Sequence, residues 1–317
     1  MINNVQVLRA FAALNVVLFH TFGQTAKYGG ERSALARFFG NWGNCGVDIF
    51  FVISGFIMIL TQYQHPTSAL EFIKDRAKKI VPLYWSISLL FILLLIFVPS
   101  AFNQAVFSWK HALTSLLFTS RPFGYDFPIL DQGWTLEYEM LFYVLFGLSL
   151  SIQRVRPLVI VPLVLLCGTM LTNLNLIVME FVFGMAVGMV YTKGWLKQAG
   201  LPLFTTGTIA ILASLFFEID MPRVVRFGIP AFFIVLGSCY LPQVQCKPLI
   251  LIGSASYSIY ITQALTLPAF YKAIKFTKVP INAVGPDLIT TSCVVVATLV
   301  GILVYQCYEK PVARILK

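Results

Sequence analysis

Apolar residues run in long blocks along this chain, separated by short polar stretches. Ten blocks approach the length of about 20 residues that a helix needs to cross a bilayer. They cover roughly 5–24, 46–62, 80–98, 132–150, 157–172, 175–192, 203–218, 224–241, 249–268 and 287–308. Pro82, Pro99, Pro157, Pro202, Pro222, Pro248 and Pro286 fall at or near their boundaries, where proline ends or starts a helix. Ala105–Ser120 is apolar but short, and Trp109, Lys110 and His111 interrupt it, so it reads as an interfacial or re-entrant piece. The pattern predicts an all-α polytopic transmembrane helix bundle of about ten spans, a single membrane-embedded domain over 1–317 with no separate soluble domain. An even number of spans places both termini on one side.

Composition agrees. Of 317 residues, 58% are hydrophobic and 11% charged, with a mean hydropathy of +0.82; soluble domains carry about 25% charged residues. The net charge of +10 sits in short loops, where it orients spans and meets anionic lipid rather than nucleic acid. Lys74, Arg76, Lys78 and Lys79 crowd together, as do Arg154 and Arg156, while Glu31, Asp126, Asp131, Glu218, Asp220 and Asp287 fall on the other side. This asymmetry predicts cytoplasmic termini. Arg9 opens the first apolar run and no clear small-residue cleavage site follows it, so that run reads as a retained span rather than a secretion signal. The six cysteines form no C-x-x-C pair and mostly lie in apolar runs, which predicts small buried hydrophobes, not a disulfide framework or a metal site.

Against this background the ionisable residues inside apolar runs stand out, since each charge in a bilayer interior costs about 2.5–3.5 kcal/mol on insertion scales. Arg9 and His20 are eleven residues apart, which on a helix is three turns plus about 20°. Both side chains leave one face, about 16 Å apart along the axis. A histidine avoids most of the charge penalty by staying neutral, with an ordinary pKa of about 6.5, and can then accept a proton. Asp48 lies at the edge of the second block, where it either caps a helix or orients a partner in a cavity. Ser54 and Gly55 read as a close helix contact. Arg76 and Lys79 share a helix face at the membrane surface, for lipid phosphates or for a soluble anionic cofactor. Glu137 and Glu139 point about 200° apart, so only one faces the bundle interior, expected to be Glu139. Glu180, alone in the sixth block, is a weaker instance of the same kind. His65 and His111 read as surface residues.

Several stretches together resemble the acyltransferase-3 family of integral membrane acyltransferases. They are Arg9 with ten residues before His20, Gly46-Val-Asp48-Ile-Phe-Phe-Val-Ile-Ser54-Gly55-Phe56, Arg76-x-x-Lys79-Ile-x-Pro82-x-Tyr84, Trp134-Thr-Leu-x-x-Glu139-x-x-Phe142-Tyr143, Ser256-Tyr257-Ser258-Ile-Tyr260, and Glu309-Lys-Pro311. The wording around Gln132–Met140 is most similar to the branch that acetylates bacterial exopolysaccharides. The resemblance implies an enzyme of the bacterial inner membrane that transfers an acyl group, usually acetyl, from cytoplasmic acetyl-CoA to a carbohydrate hydroxyl near the outer face, without a metal. It implies a catalytic set of His20 as base with Arg9 and Glu139, acyl-CoA held by Arg76, Lys79 and Tyr84, and acceptor contacts at Asp48 and Trp134. Two departures stand out: Lys79 replaces a common arginine, and Gln263 stands where the family often has a second histidine. A carrier or flippase for a lipid-linked sugar in polysaccharide biosynthesis is the alternative, because buried ionisable residues also line transport paths. A structural subunit with Arg9 merely snorkelling is the blandest reading.

Overall fold

The fourth helix begins earlier than hydropathy predicts. Ser68 accepts the backbone N–H of Glu71, and the Glu71 carboxylate accepts the Ser68 N–H in return, a capping box that starts the helix at Ala69. The basic run from Lys74 to Lys79 therefore lies on the same continuous helix as the third apolar block, and Pro82 lies inside that helix rather than at its end. The Ser86 hydroxyl donates to the Pro82 carbonyl (2.8 Å), one local bond in a turn that proline weakens.

This computed structural model describes residues 2–31, 33–40, 45–98, 107–152, 157–172, 174–217 and 221–316, the side chain of Leu215 excepted. Arg154, Arg156, Glu218, Asp220 and Pro99 lie outside the described residues, as does Ala105–Val106 of the short apolar piece. Among the described residues every element is helical: α1 Asn3–Lys27, α2 Ala34–Phe39, α3 Cys45–Gln64, α4 Ala69–Phe97, α5 Trp109–Leu116, α6 Gly133–Leu150, α7 Pro157–Leu171, α8 Met179–Thr192, α9 Gly200–Phe216, α10 Ile229–Tyr240, α11 Lys247–Ser254, α12 Ser256–Phe276, α13 Ile281–Val284, α14 Pro286–Val304 and α15 Lys310–Ile315. All ten apolar blocks thus contain helix. By length and composition, four helices can cross a membrane (α1, α3, α4 and α14 with its continuation), or up to six if two bent pairs each count as one span. The chain is a multi-pass membrane protein; ten crossings is a larger number than this test reaches. One bent pair is α11 with α12, which turn by 66° at Ala255 inside the block expected to be one straight span.

Side-chain contacts fix how the helices run. Arg9 meets Ser256 and Thr25 meets Tyr271, so α1 and α12 run parallel. Gly133 lies against Tyr84 and Gly147 against Ile73, so α4 and α6 run antiparallel. Helices α3 and α8 run parallel and cross at Gly55 and Gly184, each of which leaves no room for a Cβ beside the other helix's backbone. Small residues at such crossings bring backbones together where lipid supplies no hydrophobic drive. The cysteines divide evenly: Cys45, Cys239 and Cys293 are buried, whereas Cys167, Cys246 and Cys307 are exposed, and all six are free.

The start of α3 carries a buried ion pair. Arg223, just before a π-helical turn at Val224–Gly228, donates from Nε (2.9 Å) and Nη2 (2.7 Å) to the two carboxylate oxygens of Asp48, which is fully buried. Glu180, also fully buried, stands beside this pair. Such a pair links α3, α8 and the entry to α10, and removing one partner strands the other.

Two outcomes follow for stability. Gly184→Leu must push α8 off the Val52 carbonyl, so its melting in detergent should fall by the equivalent of about 3 kcal/mol or more, with loss of a monodisperse peak. Arg223→Ala should cost about 3 kcal/mol by leaving Asp48 uncompensated, and adding Asp48→Asn should recover part of that loss, read from the same melting curves.

Candidate functional site

Arg9 sits two turns into α1, on a face that packs toward the N-terminus of α12. Its Nε (3.2 Å) and Nη2 (2.9 Å) donate to the hydroxyl of Ser256, the first residue of α12, where the chain bends out of α11. The guanidinium thereby finds a partner inside an apolar bundle. Helix α6 delivers Glu139 to the cavity that Arg9 also lines. Its Oε1 accepts two hydroxyl protons, one from Ser54 of α3 (2.7 Å) and one from Tyr143 one turn along α6. Its Oε2 receives no hydrogen bond among the described residues. Lys79 enters from α4.

These side chains line one cavity of about 80 Å³, together with Tyr257, Tyr260 and apolar residues of α3 and α6. At about 10–15 Å³ per water site, that is room for roughly half a dozen waters, hence for a thin chain but not for a sugar ring. Glu139 interacts electrostatically with both Arg9 and Lys79. Yet neither forms an ion pair with it within 4.0 Å; Asp48–Arg223 is the pair at that distance among the described residues. Charges of both signs thus face the same space without neutralising one another by contact.

Lys79 also borders a second, wider cavity of about 600 Å³ between α4 and the C-terminal segment, lined by Arg76, Lys78, Tyr308 and Glu309 among others. That volume lies in the range of ligand sites. Arg76 stacks over Phe72 (5.5 Å to the ring centroid), and its buried Nε has no hydrogen-bond partner. Glu309 ends a π-helical turn at Tyr305–Glu309, a local widening common at functional sites, and accepts the hydroxyl proton of Ser258.

The sequence-predicted residues therefore fall into groups. Arg9, Lys79 and Glu139 come together in the first cavity, and Arg76 in the second. Glu137, as the opposite-facing member of its pair, accepts the Ser120 backbone N–H (2.8 Å). His20 is half-buried about 16 Å along α1 from Arg9, on the same helix face, but is not among the residues lining either cavity. Its ring meets Phe19 edge-on (5.6 Å between centroids). Val16 lies between Arg9 and His20, in one packed cluster with Val47, Phe51 and Tyr260. Because Asn15 contacts Cys45 at the first turn of α3 (3.2 Å), His20 projects beyond the start of that helix. Asp48 is committed to Arg223. Tyr84 is fully buried, and its hydroxyl donates to the Ser115 carbonyl (3.1 Å), tying α5 to α4. Trp134 makes edge contacts with Phe51 and Tyr138 and lines neither cavity. His111, expected as a surface residue, stacks on Tyr125 (4.1 Å) and pairs with the Phe127 carbonyl (2.9 Å).

Sequence reasoning missed the hydroxyls that organise the site: Ser54, Tyr143 and Ser256. A carboxylate or guanidinium within an apolar run does signal that donors or acceptors must converge on it, but not from which helix. A further tie, Tyr260 accepting from Thr135 (2.9 Å) and donating to the Gln132 carbonyl (2.9 Å), closes the cavity between α12 and α6.

A family model described as an acyltransferase domain matches residues 2–306. The exopolysaccharide production protein ExoZ of Rhizobium meliloti (strain 1021) is 33% identical over 295 residues, covering 86% of this chain and 90% of that protein. The O-acetyltransferase OatA of Staphylococcus aureus (strain NCTC 8325 / PS 47) is 24% identical over 310 residues, covering 80% of this chain and 48% of that protein, so the chain spans about half of its length. No solved structure matches. With nearly the whole chain inside the family match, the protein belongs to the acyltransferase-3 family of integral membrane acyltransferases.

Proposed function

We propose that the chain is an O-acetyltransferase of the bacterial inner membrane that moves acetyl from cytoplasmic acetyl-CoA to a hydroxyl of a cell-surface or secreted polysaccharide or its lipid-linked precursor. The observation that carries this reading is the pair of cavities joined at Lys79: a wide one beside Arg76 and Lys78, suited to the phosphates of a nucleotide, and a small one beside Arg9 and Glu139 within the bundle. The names of the relatives, an exopolysaccharide production protein and an O-acetyltransferase, support the carbohydrate acceptor and the acetyl group.

In this reading the termini are cytoplasmic, in line with the basic run near the start of α4. The CoA head stays in the wide cavity and its arm follows the face of α1 from Arg9 toward His20, a path of about 16 Å. The acceptor approaches from the other side. The neutral His20 imidazole takes the proton of the sugar hydroxyl, the hydroxyl oxygen attacks the thioester carbonyl, a C–O bond forms and the C–S bond breaks. The imidazolium then returns the proton to the departing thiolate. Arg9 and Lys79 draw the anionic donor inward. Support for the base comes from the position of His20 on the Arg9 face and from its ring having no hydrogen bond among the described residues, which leaves a nitrogen for substrate. Val16 and its neighbours between the two levels must give way for the arm to pass.

General-base catalysis is worth about 10²–10⁴-fold. His20→Ala should therefore lower acetyl transfer from labelled acetyl-CoA to deacetylated polysaccharide by at least about a hundredfold while the protein remains inserted and monodisperse. Near-normal turnover would remove His20 from the mechanism.

A further inference from the structure

The small cavity poses a chemical question that phosphate recognition does not answer. An anion would be served by Arg9 and Lys79 alone, yet the same cavity is lined by a carboxylate, that of Glu139. That carboxylate is also aimed. Two hydroxyls from different helices, Ser54 on α3 and Tyr143 on α6, donate to the same oxygen, Oε1, leaving Oε2 without a donor among the described residues. Arg9 uses Nε and Nη2 on Ser256, and Nη1 donates to no described residue. The cavity is therefore lined by a residue with a spare acceptor and a residue with a spare donor that do not pair within 4.0 Å, and it has room for a thin chain. A group that presents a donor and an acceptor on adjacent atoms and carries no charge fits this arrangement: a secondary amide.

Resting on the function proposed above, we infer that this cavity grips an amide of the pantetheine arm of the donor, with Glu139 Oε2 accepting the amide N–H and Arg9 donating to the amide carbonyl. Ser54 and Tyr143 are positioning residues that hold Oε2 toward the arm. The division of labour is then chemical: cations of the wide cavity take phosphate, and the two-signed cavity takes the arm. The apolar lining from Phe50, Ile53 and Leu136 suits the methylene segments to either side of the amide. A hydrogen bond to a carboxylate oxygen is worth enough to discriminate against a chain lacking the donor, because a bound chain would take that oxygen from water without replacing the bond.

The test uses the full-length protein in detergent with deacetylated polysaccharide as acceptor. Three donors are compared: acetyl-pantetheine and its two analogues in which one or the other amide N–H is replaced by an ester oxygen. One ester analogue should lose about tenfold to a hundredfold in kcat/KM. In Ser54→Ala and in Tyr143→Phe, the parent donor should fall toward that analogue, so that the discrimination shrinks while the KM for the polysaccharide is unchanged. Ser54→Thr, which keeps the hydroxyl, should restore it. Equal use of all three donors by the unaltered protein overturns the amide contact and leaves the acetyl-transfer reading standing. Discrimination that persists undiminished in both variants overturns the positioning role. Absence of any transfer from acetyl-CoA itself overturns the reading beneath. The donor series on the unaltered protein needs no variant to fold.

Discussion

A guanidinium two turns into an apolar helix must be satisfied from within the bundle, and the structure is arranged around doing so. Arg9 takes its partner from Ser256, at the point where α11 breaks into α12. Had the chain continued straight through Ala255, Ser256 would lie in mid-helix rather than at the first turn of α12, where it is fully buried. The 66° bend places the start of α12 beside the cavity that Arg9 and Lys79 line, and Glu139 enters the same cavity from α6. The cost of burying these charges is offset by pairing without contact neutralisation, and the open space between them is the price of a site rather than a salt bridge.

The second buried charge cluster contrasts with the first. Asp48 and Arg223 touch at 2.7 Å and make a bidentate pair. Nothing separates them, and Asp48 lines neither of the two cavities described, so the pair joins α3 to the segment before α10. Arg9 and Glu139 carry the same two signs but stay apart, each held by neutral hydroxyls. Whether a charge pair closes on itself or stands open distinguishes a structural contact from a binding arrangement, and the two cases sit on the same helix bundle within a few turns of α3.

Each of the ten blocks marked by hydropathy contains helix, because long apolar runs leave no other way to satisfy the backbone in lipid, whereas the short helices α2, α5, α13 and α15 lie outside those blocks. Hydropathy misjudged ends and continuity where local hydrogen bonding overrides apolarity. The capping box at Ser68 and Glu71 was present in the sequence as S-x-x-E and carries α4 back over a strongly basic stretch that hydropathy excludes. The bend at Ala255 had no such marker. Among the site residues, the charged ones were legible because charge in an apolar run is costly wherever it falls: Arg9, Lys79 and Glu139 meet as a group. Helical period showed only that Glu137 and Glu139 point apart, and the expectation that just one faces inward is corrected: Glu137 is buried against the Ser120 N–H, and Glu139 lines the cavity. Ser54, Tyr143 and Ser256 were not legible as a set, since hydroxyls are common and their convergence depends on how α1, α3, α6 and α12 cross. Asp48, Tyr84 and Trp134 carry family-like sequence signals, yet lie in packing contacts, because a sequence block marks where side chains matter without separating the ligand from the scaffold.

The position of His20 sets a geometric condition on any chemistry at this site. On α1 it shares a face with Arg9 but stands beyond the first turn of α3, while Val16, Val47, Phe51 and Tyr260 pack between the two levels. A helix is stiff along its axis, so the 16 Å or so between Arg9 and His20 is not closed by bending α1. It is spanned either by a ligand or by rearrangement of the layer between. Tyr260, which lines the cavity, is held by Thr135 and the Gln132 carbonyl at the entry to α6, so its position is tied to the start of the helix that carries Glu139.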